Sequence, residues 1–297
     1  MNEGQGTIHD LGYEPYRGPR LAQTRRFWII ARNVIAVAWR GKWGVKAPVL
    51  LSVMVVMAAT AIMWVARAAQ RLSHLTSGGA QVLRVDAVVF QSFNFYGFLG
   101  FLLATTVGCA TVADDLKMGA FQFYFSRPIR PRDYVAGKVT GLALVVGIPM
   151  FGVPVALAIL RLLLAEDLAE AGRVWMIVPR AAALGLVGTA AYVLPAAGMG
   201  ALMQKRAPAQ ALFAVYYLVV GSLAKGMAMG LRAPQFRLLA LDDNIRNVGS
   251  ALFGIDRPRG APPVWQSVAA TAALGLAGWV ILWRRVQRAE TSGLGGG

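Results

Sequence analysis

Six long apolar blocks restrict this chain to one kind of fold. They run from Ala47 to Ala66, Phe90 to Ala113, Val139 to Leu160, Ala181 to Met203, Ala207 to Ala224 and Val264 to Trp283. A helix of about 20 apolar residues crosses a bilayer core, and it does so because it satisfies its own backbone N–H and C=O groups. Composition agrees, with 57% of the residues hydrophobic and 15% charged over 297 residues. That is too little polar surface to cover a water-soluble globule. The expected fold is an all-α membrane protein with six transmembrane helices. A tail and amphipathic helix occupy 1–45, the six-span domain 46–284 and a C-terminal tail 285–297.

Six spans place both termini on one side. With that side cytoplasmic, it holds residues 1–46, 114–138, 204–206 and 284–297, which carry the larger share of the 30 Lys and Arg. Arg25, Arg26, Arg32, Arg40, Lys42 and Lys46 crowd the entry to the first block, and Arg284, Arg285 and Arg288 follow the last. Both termini are therefore expected inside, by the positive-inside rule. No signal-peptide pattern precedes the first block, so that block is expected to insert as an uncleaved anchor. The formal charge of +16 would suggest nucleic acid in a soluble protein. Here it sits in the connections, where anionic lipid accounts for it and no nucleic-acid partner is expected.

Two connecting segments have helical patterning of their own. Leu21 to Trp43 interleaves Arg25, Arg32 and Arg40 with aliphatic and Trp residues. A charge in mid-bilayer is costly, so the segment reads as an interfacial helix rather than a seventh span. Within 231–263, Leu238, Leu241, Ile245, Val248 and Leu252 recur at helical spacing and Gly254 follows as a stop. That pattern predicts an amphipathic helix docked on the outer face of the bundle.

Several chemistries are missing. The histidines, His9 and His74, lie outside the apolar blocks, no H-E-x-x-H occurs, and no Asp or Glu falls inside a block. Intramembrane hydrolysis and ion-coupled transport draw on such residues. Gly41-Lys42 is followed by Trp43 and Gly137-Lys138 by Val139, so neither makes the phosphate-cradling loop of an ATPase. The chain is not expected to be an enzyme or to hold a cofactor or metal. The lone Cys109 reads as a small core residue.

The most distinctive connection is DDLKMGAFQFYFSRPIRPRDYVAGK, Asp114 to Lys138. Its first half continues as a short helix carrying Phe121, Phe123, Tyr124 and Phe125, and Arg127-Pro128 then breaks it. An aromatic and basic element at the membrane surface suits docking in a groove on a soluble partner. The segment resembles the signature connection of the ABC type-2 transporter permeases: acidic, x-x-x, Gly-Thr, Leu-Leu-Ser-x-Pro-(Ile/Val)-Ser-Arg, then Tyr and Gly-Lys. The matching positions are Asp115, Gly119, Ser126, Pro128, Ile129, Arg132 or Arg130, Tyr134, Gly137 and Lys138. Asp stands for the commoner Glu, Ala120 for Thr, and FQFYFS for the leucine-rich stretch, which bears on the register of the contact. The tail from Ile8 to Arg20 is similar to the N-terminal extension of a subset of bacterial members.

The resemblance implies a membrane-spanning permease subunit of an ATP-driven exporter in a bacterial inner membrane. Such a subunit pairs with a second permease, identical or homologous, and with cytoplasmic ATP-binding subunits. By that analogy 114–138 is the coupling loop and Leu21 to Trp43 the connecting helix. Asp115, Phe121, Phe123, Arg127 and Arg132 are then the ATPase-coupling residues. A non-transporting membrane scaffold, or a channel, would use the same loop to recruit a soluble partner. The apolar spans favour an amphipathic cargo over a sugar chain.

Overall fold

The computed structural model describes residues 26–41, 43–73, 85–125, 129–203, 205–258 and 260–294. Among them there is no strand, and six helical spans are long and apolar enough to cross a membrane: Lys46–Ala69, Ala87–Lys117, Pro131–Leu163, Leu168–Leu202, Arg206–Gly230 and Val264–Thr291. The helices in chain order are α1 (Arg26–Arg40), α2 (Lys46–Ser73), α3 (Val85–Gln91), α4 (Phe93–Leu103), α5 (Cys109–Lys117), α6 (Ala120–Phe125) and α7 (Pro131–Gly147). After them come α8 (Val153–Leu163), α9 (Leu168–Val174), α10 (Ile177–Leu202), α11 (Arg206–Ala214), α12 (Gly221–Gly230), α13 (Leu241–Phe253) and α14 (Val264–Leu294).

Three spans contain a widened turn of π geometry instead of a break. These are Ala104–Gly108 in the second, Ile148–Gly152 in the third and Val215–Val220 in the fifth. The third contains Pro149, which cannot donate the backbone bond of a regular α-turn and whose ring crowds the preceding turn. The wider turn lets α7 and α8 continue as one span, Pro131–Leu163.

The fourth span is the hub. α10 packs most extensively on α14 and also meets α5, α7, α8, α11 and α13. Its glycines permit this. A Cβ on Gly200 would lie 2.6 Å from the Cys109 carbonyl oxygen, and one on Gly198 would lie 2.5 Å from Cα of Gly278. Small residues let membrane helices approach backbone to backbone, where dispersion contacts hold them. Spans one, five and six are the least buried within the chain.

α1 does not stand apart from the bundle. It lies along α7 and buries Ile30, Ala31 and Val34 there. Gly137 and Gly141, four residues apart, form the receiving groove. A Cβ on Gly141 would be 2.8 Å from both the Ala31 carbonyl oxygen and Val34 Cβ. Trp28, Ile29, Val37 and Trp39 remain exposed on the free faces of α1. Residues 21–25 of the expected connecting helix lie outside the described residues. A Gly141→Val substitution is expected to cost about 1–3 kcal/mol by overpacking. It should undock α1, read as loss of a disulfide cross-link engineered between α1 and α7, whereas Gly44→Ala, which meets nothing within 4 Å, should leave that link intact.

At the other end, α13 follows the expected stripe, with Leu241, Ile245 and Val248 buried. Gly254 ends it in the left-handed conformation at φ 63°, and the Ile255 amide donates back to the Ser250 carbonyl at 2.9 Å, which satisfies a helix-end acceptor. The buried face is also polar. Asn247 Nδ2 donates to the Pro262 carbonyl at 2.8 Å and to Ser267 Oγ at 2.9 Å. Asp242 pairs with Lys225, and Asp243 lies 3.5 Å from Arg237. Burial holds the Asp243 carboxyl above the usual range, although Arg237 favours its charged form. Nearby in depth, Glu170 takes hydrogen bonds from Arg67 (Nη1, 2.7 Å) and Arg161 (Nη2, 3.0 Å), tying the end of the first span to α8 and α9.

Candidate functional site

The connection between the second and third spans is built on a buried ion pair. α5 ends at Lys117, and Gly119 at φ 63° reverses the chain into the short helix α6. A left-handed turn of this kind favours glycine, which has no Cβ to clash. After residues 126–128, which lie outside the described residues, Arg130 caps α7 by donating its backbone N–H to Asp133 Oδ2 at 3.3 Å. Pro131 takes the first helical position, where no N–H is needed.

One turn into α7, Tyr134 and Lys138 sit at i and i+4 and both reach Asp115 on α5. Lys138 Nζ is 2.8 Å from Asp115 Oδ2, and the Tyr134 hydroxyl donates to the same oxygen at 2.7 Å. Lys138 also donates to the Thr111 carbonyl at 3.3 Å. The lysine is 3% and the aspartate 7% exposed, so both charges are largely withdrawn from bulk solvent. Such a pair is held by geometry and by its added hydrogen bonds, and removal of one member strands the other. Lys138 turns inward, away from the surface.

α6 rests on this brace through its rings. Phe121 and Tyr124 lie 5.1 and 5.3 Å from the Tyr134 ring, the latter edge-on at 66°. Burial raises the Tyr124 hydroxyl above its ordinary pKa, and the Asp115 charge adds to the shift. α6 also packs against the end of α14, which runs 31 residues. At about 1.5 Å per residue, α14 outruns a bilayer core of about 30 Å and continues beside the connection.

The five expected coupling residues therefore fall into distinct places. Asp115 and Phe121 are buried beneath α6. Arg132 is exposed at the start of α7. Phe123 lies within α6, with its side chain outside the described residues, as is the whole of Arg127. Sequence reasoning missed the inward roles of Tyr134 and Lys138. Their i, i+4 spacing opposite an acidic residue is the signal that could have found them.

No family model matches the chain, and no curated protein matches it.

Proposed function

We propose that this chain is the membrane-spanning permease subunit of an ATP-driven exporter of the ABC type-2 class, coupled through 114–138 to a separate cytoplasmic ATPase. The observation that carries the reading is the braced connection. α6 is a short aromatic helix anchored on a buried Asp115–Tyr134–Lys138 cluster and flanked by the extended end of α14. A load applied to such an element passes through the contacts among Asp115, Tyr134 and Lys138 into α5 and α7, the ends of two spans. Exposed Arg132 and the neighbouring Arg127 supply charged contacts to the partner, and α1, docked on α7, is the connecting helix. In this reading both termini are cytoplasmic, α1 lies at the bilayer surface, and the membrane is a bacterial inner membrane. A second permease subunit, identical or homologous, covers apolar faces that spans one and five leave open, among them Met54, Met57, Leu218 and Leu223. The ATPase partner does the hydrolysis, and this chain has none of its own.

Paired charge reversal, Arg127→Glu with Arg132→Glu, is expected to weaken ATPase association at least about tenfold, as loss of interface charge complementarity does. Transport into inverted vesicles should fall with it. Unchanged association and transport in that variant would remove these residues from the contact.

A further inference from the structure

A cavity of about 350 Å³ lies beside the brace, where α1, the elbow before α2, the end of the second span and the start of the fifth converge. Its depth is set by its walls. Asp114 is in the last turn of α5, Arg206 is the first residue of α11, and Gly41 and Gly44 form the elbow. All four lie at the ends of helices or in the connection between them, and exposed Trp39 and Trp43 flank the same elbow, as Trp does at membrane interfaces.

The polar part of the lining carries one ion pair and two further charges of opposite sign. Asp115 and Lys138 are already paired. Asp114, half-buried, makes no ion pair or side-chain hydrogen bond among the described residues. Arg206 is held at the rim because its Nη2 donates to the Thr106 carbonyl at 3.4 Å. Gln210 Nε2 donates to the same oxygen at 3.2 Å. That carbonyl belongs to the widened turn Ala104–Gly108, and irregular turns of this kind expose carbonyl oxygens to outside donors. The remaining guanidinium N–H groups have no partner among the described residues, and their planar fork suits a phosphate. The other walls are apolar, with Val37, Val45, Val107, Ala110 and Met118.

A carboxylate unpaired among the described residues, though within the field of Lys138, a guanidinium, and apolar walls near the ends of membrane-spanning helices point to one ligand chemistry. We propose that this cavity binds the headgroup of a phospholipid carrying a primary amine, with its ammonium on Asp114, its phosphate on Arg206 and its glycerol and upper chains along the apolar wall. The site goes beyond the transport reading and stands whether or not an ATPase binds. Lipid held there fills the angle between α1 and the spans, so it fixes the elbow at Gly41 and Gly44.

The test is native mass spectrometry of the full chain in detergent, titrated with phosphatidylethanolamine or with phosphatidylglycerol of the same chains. Wild-type protein should show one saturable ethanolamine-lipid adduct, bound about tenfold more tightly than the glycerol lipid, the size expected for one charge-assisted hydrogen bond. Asp114→Asn should bring the ethanolamine lipid down to the level of the glycerol lipid, and Arg206→Gln should weaken both. Equal binding of the two lipids by the wild type would overturn the assignment, and that comparison needs no variant to fold. Ethanolamine-lipid binding unchanged in Asp114→Asn would also overturn it. Glycerophosphoethanolamine, the headgroup without chains, should compete poorly. If it displaces the lipid at equal concentration, the cavity serves a soluble zwitterion and the lipid assignment fails.

Discussion

Replacing Lys138 with methionine is expected to cost about 3–5 kcal/mol of stability, the usual result of stranding one member of a buried ion pair. Among the described residues, Asp115, 7% exposed, would keep the Tyr134 hydroxyl at 2.7 Å as its one side-chain partner. The loss should appear as a lowered midpoint of thermal unfolding in detergent and as aggregation on size exclusion. Pairing Lys138→Met with Asp115→Leu should recover most of it, because no charge is then left buried. The Tyr134 hydroxyl is the one group the double variant leaves without its acceptor. If the single and double variants lose the same stability, the cluster is not a coupled pair and the brace is wrongly described.

A second large effect is expected at the crossing of the fourth and sixth spans. A Cβ on Gly198 would lie 2.5 Å from Gly278 Cα and 2.7 Å from its carbonyl oxygen. The obstruction is backbone, which cannot rotate away as a side chain can, so Gly198→Val should cost about 3 kcal/mol, the upper end of ordinary overpacking. α14 must move off α10, which shifts Trp279 and Trp283, a stacked pair with centroids 6.3 Å apart. Their fluorescence gives a direct readout. Gly226→Ala is the control, since a Cβ there meets nothing within 4 Å. A valine at 198 that unfolds at the wild-type temperature with unchanged emission would mean that the two spans do not cross there.

The spans were legible because the bilayer imposes a length on apolar runs, and their number follows from the blocks alone. Their ends were not. Hydropathy subtracts for Arg67, Asp115, Lys138, Arg161 and Glu170, yet the folded chain pairs these charges with one another, so the helices extend past the blocks. α14 likewise continues to Leu294, beyond the Trp283 where its apolar block stops. The docking of α1 was written in the spacing of Gly137 and Gly141, but a glycine pair does not say which helix fills its groove. The stripe on α13 was readable, whereas burial of Asn247 was not. Its partners, the Pro262 carbonyl and Ser267, are brought to it by the turn after Gly254 and by α14. The segment 114–138 was distinctive in composition. The inward direction of Asp115 depends on the rotation of α5 against α7, which no local pattern records.

The permease reading is tested most directly by purifying the tagged chain from its own host in mild detergent and assaying the eluate for ATP hydrolysis. A co-purifying ATP-binding subunit is expected, whose association and activity fall in the Arg127→Glu, Arg132→Glu variant and persist in the Gly226→Ala control. A monodisperse preparation with no ATP-binding subunit and no hydrolysis, under conditions that hold a known transporter together, would contradict it.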